Sequence, residues 1–126
     1  MSARYKDWMS QAENDLDWGN DSCSNGFYAQ SCFISQQSSE KALKALALFR
    51  GEDMVKSHSV KMIAKALGIN SEIEAAAAKL DLYYITSRYP DSLPEGAPHE
   101  MFTEEQAKEA LALAEMIVKK VRQEVK

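Results

Sequence analysis

Glycine and proline are scarce in this sequence, five and three among 126 residues. Gly26, Gly51, Gly68 and Gly96 and all three prolines (Pro90, Pro94, Pro98) fall between periodic segments, where they punctuate helices. No stretch alternates as a strand would. The two cysteines, Cys23 and Cys32, are too few for a disulfide framework, and no functional disulfide is expected. No apolar run approaches the roughly 18 residues of a membrane helix. The start, Met1 to Asp7, runs straight into charged residues without an apolar leader, so a cytoplasmic protein with no membrane association is expected. Glycine-rich phosphate loops, a Glu-x-x-His pair, a Cys-x-x-Cys and any close Cys/His set are all missing, so no metal and no cofactor is expected.

What is present is ordinary for one globular domain over residues 1–126: 45% hydrophobic and 27% charged residues. The formal charge of −4 argues against nonspecific coating of DNA. Its distribution is uneven. Residues 40–65 hold six basic residues (Lys41, Lys44, Arg50, Lys56, Lys61, Lys65) against Glu40, Glu52 and Asp53, a net of +3 that leaves −7 for the rest. A local basic region on an acidic body suits a phosphate-bearing ligand better than a long duplex, and it suits a solvated helix face equally.

Apolar periodicity predicts an all-α, antiparallel up-and-down bundle of about five helices. Tyr5, Trp8, Met9, Ala12, Leu16 and Gly19 mark a first helix over 3–20. A second, over 27–50, is apolar on most sides and is expected at the centre. A third begins near Ser57-His58-Ser59 and stops at Gly68. Ser71 with Glu74 has capping-box spacing for a fourth helix running towards Tyr84, and Thr103 with Gln106 has it for the last. Residues 89–102 form a proline-rich loop.

The second helix departs from a plain bundle. At 3.6 residues per turn, Gln36, Gln37, Glu40 and Lys44 share an arc with Phe33, Leu43, Ala47 and Leu48. Such polar groups must be paired with one another, paired across helices, or open to a cleft. Asp15 is a candidate partner for Lys44. An internal network that fixes helix register accounts for the pattern as well as a binding site does. Three further residues carry possible chemistry. Arg88 offers a planar fork of donors for phosphate, Tyr89 a face for stacking a base, and Asp91 a partner for Arg88. His58 opens the third helix, where backbone N–H groups favour anions; His99 sits in the loop with no evident partner.

At these residues the chain resembles a HEPN domain (higher eukaryotes and prokaryotes nucleotide-binding). The resemblance is carried by Ala12–Leu16, by Cys32–Ala45 with its Gln-Gln-x-x-Glu-Lys-x-x-Lys-Ala run, by Gly51 followed by His58-Ser59, and by Leu80–Asp91 ending in Arg-Tyr-Pro-Asp. It implies a four-helix core, usually in a homodimer. It also implies, for many small prokaryotic members, a minimal nucleotidyltransferase as partner in a two-component or toxin–antitoxin pair. Some members are metal-independent ribonucleases with a His four to six residues after an Arg at the dimer cleft. Here ten residues separate Arg88 from His99, so that catalytic spacing is not met. The expectation is therefore a nucleotide- or RNA-binding module. Arg88, Lys41 and Lys44 would contact phosphate, Tyr89 would stack a base, Gln37 and Glu40 would hold ligand or lysines, and His58 and Asp91 would stand beside them. The alternatives are a ribonuclease toxin using Arg88 with His58 or His99, and a ligand-free structural dimerisation domain.

Overall fold

A computed structural model describes residues 4–53 and 56–126, and all its regular structure is helical. The α-helices are α1 (Tyr5–Ser24), α2 (Tyr28–Phe49), α3 (Val60–Leu67), α4 (Ser71–Asp81), α5 (Tyr83–Thr86), α6 (Pro98–Met101) and α7 (Glu104–Glu124), with one 3-10 turn at Pro90–Ser92. Five have eight or more residues, and α5 and α6 are single turns. As expected from its all-round apolar surface, α2 is central and touches every other helix. Ala42, Leu43, Ala45, Leu46 and Ala47 are all within 1% of complete burial, and α7 covers them with Ala110, Ala114, Ile117, Val118 and Val121. No helix among the described residues is long and apolar enough to cross a membrane.

The buried serines of α2 let it approach α1 closely. Ser38 donates to the carbonyl of Ala12 at 2.7 Å and Ser31 to that of Gly19 at 2.9 Å, while Ser35 and Ser39 bond back within their own helix. Gly19 is the glycine this contact requires. A Cβ there would lie 2.8 Å from Ile34 Cγ2 and 2.9 Å from Leu111 Cδ2. Gly19→Val is therefore expected to lower stability by about 1–3 kcal/mol through overpacking. Chemical denaturation would measure it; an unchanged midpoint would contradict the packing.

The helix ends follow local chemistry. Thr103 and Gln106 form the expected capping box. The box expected at Ser71 is corrected: Asn70 is the cap and accepts from the Ile73 N–H at 2.9 Å, because Ser71 is already helical. Gly68, with φ of 69°, ends α3 in a left-handed turn in which Ile69 N–H reaches the Ala64 carbonyl. Arg50 adds a donor to the Leu67 carbonyl at 2.6 Å, a cation at the negative end of α3.

Both cysteines are free thiols. Burial first, and then the nearby charges of Cys23 and Glu109, push the Cys32 thiol up from 9.0 to about 12. An alkylating reagent at pH 8 is expected to modify Cys23 and spare Cys32 in the folded protein, read by peptide mass; equal rates would contradict the burial. The folded state holds this proton more tightly than the unfolded chain. The stability it contributes is thus present below about pH 9 and lost as pH rises towards 12.

Candidate functional site

Glu40 is the fixed point of the polar arc on α2. Its carboxylate, 7% exposed, accepts from Lys44 at 2.9 Å, from the Gln36 amide at 3.4 Å, and faces His58 Nδ1 at 3.2 Å. Gln36 is fully buried and also donates to the His58 carbonyl at 2.8 Å, while its own oxygen accepts from Gln37. Every buried side-chain polar atom among the described residues has a partner. The partner expected for Lys44 is corrected: Asp15, 5% exposed, pairs with Lys41 at 2.5 Å and accepts from Gln11, so that Lys44 turns to Glu40 one helical turn back. Lys44 is 7% exposed and Lys41 27%, and each ammonium lies on a carboxylate of the protein.

The segment before α3 is held at both ends. Gln36 holds the His58 carbonyl, and the Asp81 carboxylate closes the helix start. Asp81 accepts from the Ser59 hydroxyl at 2.7 Å and from the Val60 and Lys61 N–H groups at 2.7 and 3.1 Å; Ser59 Oγ accepts from Met62 N–H. The N–H groups expected to favour an anion at the start of α3 thus receive one from the protein itself, the Asp81 carboxylate. The His58 side chain remains 60% exposed.

Arg88 occupies an aromatic box. Its guanidinium carbon lies 4.4 Å from the Phe33 ring centroid, 4.7 Å from Tyr84 and 4.9 Å from Tyr89. Its Nε donates to the Tyr84 carbonyl at 2.9 Å. Arg88 and Asp91 form no ion pair among the described residues; Asp91 lies exposed in the 3-10 turn. Nor does any described group accept from the terminal guanidinium nitrogens. Three ring centroids thus lie within 5 Å of the cation, each contact worth about 0.5–2 kcal/mol depending on exposure.

The box and the polar arc join through rings. His58 stacks on Tyr84 at 5.3 Å with planes 16° apart, and Tyr84 also meets Phe33 at 6.5 Å. Glu40, His58, Tyr84, Arg88 and Phe33 thus form one continuous chain from buried carboxylate to half-exposed guanidinium. Among the described residues, Arg88 meets α2 at Phe33 and reaches the polar residues through Tyr84 and His58. His99 lies exposed on α6, and no bond to Arg88 occurs among the described residues.

The sequence reading brought Gln36, Glu40, His58, Arg88 and Tyr89 forward and left Tyr84 and Asp81 without roles. Tyr84 was legible as the residue four before Arg88 in a helical segment. Asp81 carried no local signal, because it caps a helix 21 residues earlier in the chain.

Comparison with known proteins agrees with this fold. A family model described as HEPN domain matches residues 5–124. The chain superposes on TT1696 from Thermus thermophilus with a TM-score of 0.92 at 36% identity, covering 97% of this chain and 98% of that one. For ST0689, an archaeal HEPN homologue, the TM-score is 0.87 at 38% identity, with 99% and 100% covered. A HEPN domain protein (tm0613) from Thermotoga maritima gives 0.73 at 29%, with 92% and 94% covered. No curated protein matches.

Proposed function

Because the chain belongs to the HEPN family, we propose that it is a nucleotide- or RNA-binding helical module whose phosphate receptor is Arg88. The observation that carries this reading is the guanidinium held by three rings with no protein anion on its fork. A guanidinium fork with no protein anion on it can take a phosphate through two parallel N–H···O bonds. Tyr89, 50% exposed beside that cation, supplies the stacking face. Glu40 and Gln36 hold His58 against the Tyr84 ring, and Gln37 buttresses Gln36. Lys41 and Lys44 hold Asp15 and Glu40 in place, and Asp91 lies beyond the box. In this reading the module acts as a homodimer with a minimal nucleotidyltransferase partner, and the exposed Leu82 and Ile85, six and three residues before Arg88, give it an apolar surface for such contacts. Calorimetric titration with adenosine monophosphate tests the site. Saturable binding lost in Arg88→Ala supports it, and heat that is the same in both proteins rejects it.

One observation favours a second reading, a metal-independent ribonuclease: His58 Nδ1 faces the Glu40 carboxylate at 3.2 Å. A carboxylate in that position orients an imidazole as a general base. His58 Nε2 would take the proton of a ribose 2′-hydroxyl, whose oxygen would attack phosphorus as the bond to the 5′-oxygen breaks and that oxygen takes a proton from solvent water. Arg88 would stabilise the charge on phosphorus. RNA cleavage in chelator, abolished in both His58→Ala and Arg88→Ala, would establish this; intact RNA after prolonged incubation would dismiss it.

A further inference from the structure

Five carboxylates and a single lysine lie on α1. Asp7, Glu13 and Asp15 are paired, with Arg4, Arg122 and Lys41. Asp17 and Asp21 are exposed and form no ion pair among the described residues. They stand one turn apart, where like charges repel, and Asp21 lies in the last turn, at the negative end of the helix. Trp18, three residues before Asp21 and so its neighbour on the helix surface, is 60% exposed. An uncovered indole among charges that the helix itself disfavours breaks local consistency, as surfaces that meet a partner do.

The same spacing recurs on α3 with the opposite sign. Asp17-Trp18-x-x-Asp21 has its counterpart in Lys61-Met62-x-x-Lys65. The buried face of α3 is Val60, Ile63, Ala64 and Leu67. Lys61 and Lys65 are exposed, and Met62 is 55% exposed. Neither lysine forms an ion pair among the described residues. Asp81, the acid at the start of α3, is occupied by the Ser59 hydroxyl and the Val60 and Lys61 N–H groups. On each helix the two charges lie about 6 Å apart along the axis, and the apolar side chain stands about 100° round from the first of them, in the same sense. Laid face to face and antiparallel, the two patterns bring Asp21 to Lys61, Asp17 to Lys65 and the Trp18 indole alongside the Met62 thioether, a contact that sulfur and aromatic rings favour. A parallel approach would put the apolar residues on opposite sides. Within one chain α1 and α3 both pack on α2 and turn these patterns outward, so the match is made between copies.

We propose that these two faces are an interaction surface for a second copy of the chain, α1 of one copy docking antiparallel on α3 of the next. The contact joins two different faces and is therefore heterologous, so it adds to any two-fold pairing made elsewhere on the surface. Sedimentation velocity of the full chain over a concentration series, at about 20 mM and about 500 mM potassium chloride, tests it. Association is expected to be at least about tenfold tighter at the lower salt, because ions screen contacts between exposed charges. Asp17→Lys/Asp21→Lys and Lys61→Glu/Lys65→Glu, all at exposed positions, are each expected to weaken that association at least about tenfold and to keep a folded circular dichroism spectrum. The chain carrying all four changes, whose effects on charge cancel to leave −4, is expected to regain it. That recovery separates a specific contact from a general effect of net charge. A wild type without salt-sensitive association, a double variant that associates as the wild type does, or a fourfold variant that fails to recover would each overturn the contact.

Discussion

Replacing Glu40 with alanine is expected to lower stability by about 3–5 kcal/mol, the range for removing one partner of a buried ion pair. Glu40 and Lys44 are each 7% exposed. Without the carboxylate, the Lys44 ammonium stays in a low-dielectric interior with no anion, and the Gln36 amide loses one acceptor. The double variant Glu40→Leu/Lys44→Leu separates that penalty from packing: with both charges gone it should recover most of the loss, to within about 1–2 kcal/mol of wild type. Urea denaturation of the three proteins supplies the comparison. A Glu40→Ala loss under about 1 kcal/mol would mean that water reaches the pair.

The second large effect falls on binding and leaves the fold intact. Arg88→Ala removes a charged fork of donors from a prearranged site, and hydrogen bonds to charged groups are worth about 1.5–3 kcal/mol. Nucleotide affinity should drop about 10- to 100-fold. The melting temperature should also fall, because the variant gives up three ring contacts and the bond to the Tyr84 carbonyl, so the affinities are compared at a temperature where both proteins are folded. Arg88→Lys should recover little of the affinity, since an ammonium offers neither the planar fork nor the same stacking on Phe33, Tyr84 and Tyr89. Full recovery with lysine would show that charge alone is recognised.

These two expectations assign the two explanations of the polar arc on α2 to different residues. Glu40, Lys44 and Gln36 fix the packing, as an internal network would. Arg88 and Tyr89 face outward, as a site would. His58 belongs to both, with its carbonyl tied to Gln36 and its ring on Tyr84.

The architecture was legible because its signals are local. Periodicity placed the five longer helices, Gly68 the end of α3, and Thr103 with Gln106 the start of α7. The breaks at Leu82 and the single turns of α5 and α6 were not legible, since they involve four residues or fewer of regular structure. Partner choice was hardest. Asp15 takes Lys41 although Lys44 lies on the inward arc, because an ion pair across α1 and α2 depends on how the two helices are set against each other, which periodicity does not encode. The same limit hid Asp81, whose carboxylate comes from α4 to the start of α3. The buried serines read as polar interruptions, and only coordinates show Ser31 and Ser38 reaching the backbone of α1.

If the guanidinium set among aromatic rings stands ready for phosphate, a ligand must be felt there first. The Nε–Hε resonance of Arg88, followed by NMR as adenosine monophosphate is added, reports on that group alone. A saturable shift of this signal, in step with the Tyr89 ring protons, is expected. A saturating ligand that shifts resonances in the groove of Asn20, Cys23, Lys108 and Glu115 and leaves Arg88 and Tyr89 unmoved would refute the phosphate receptor.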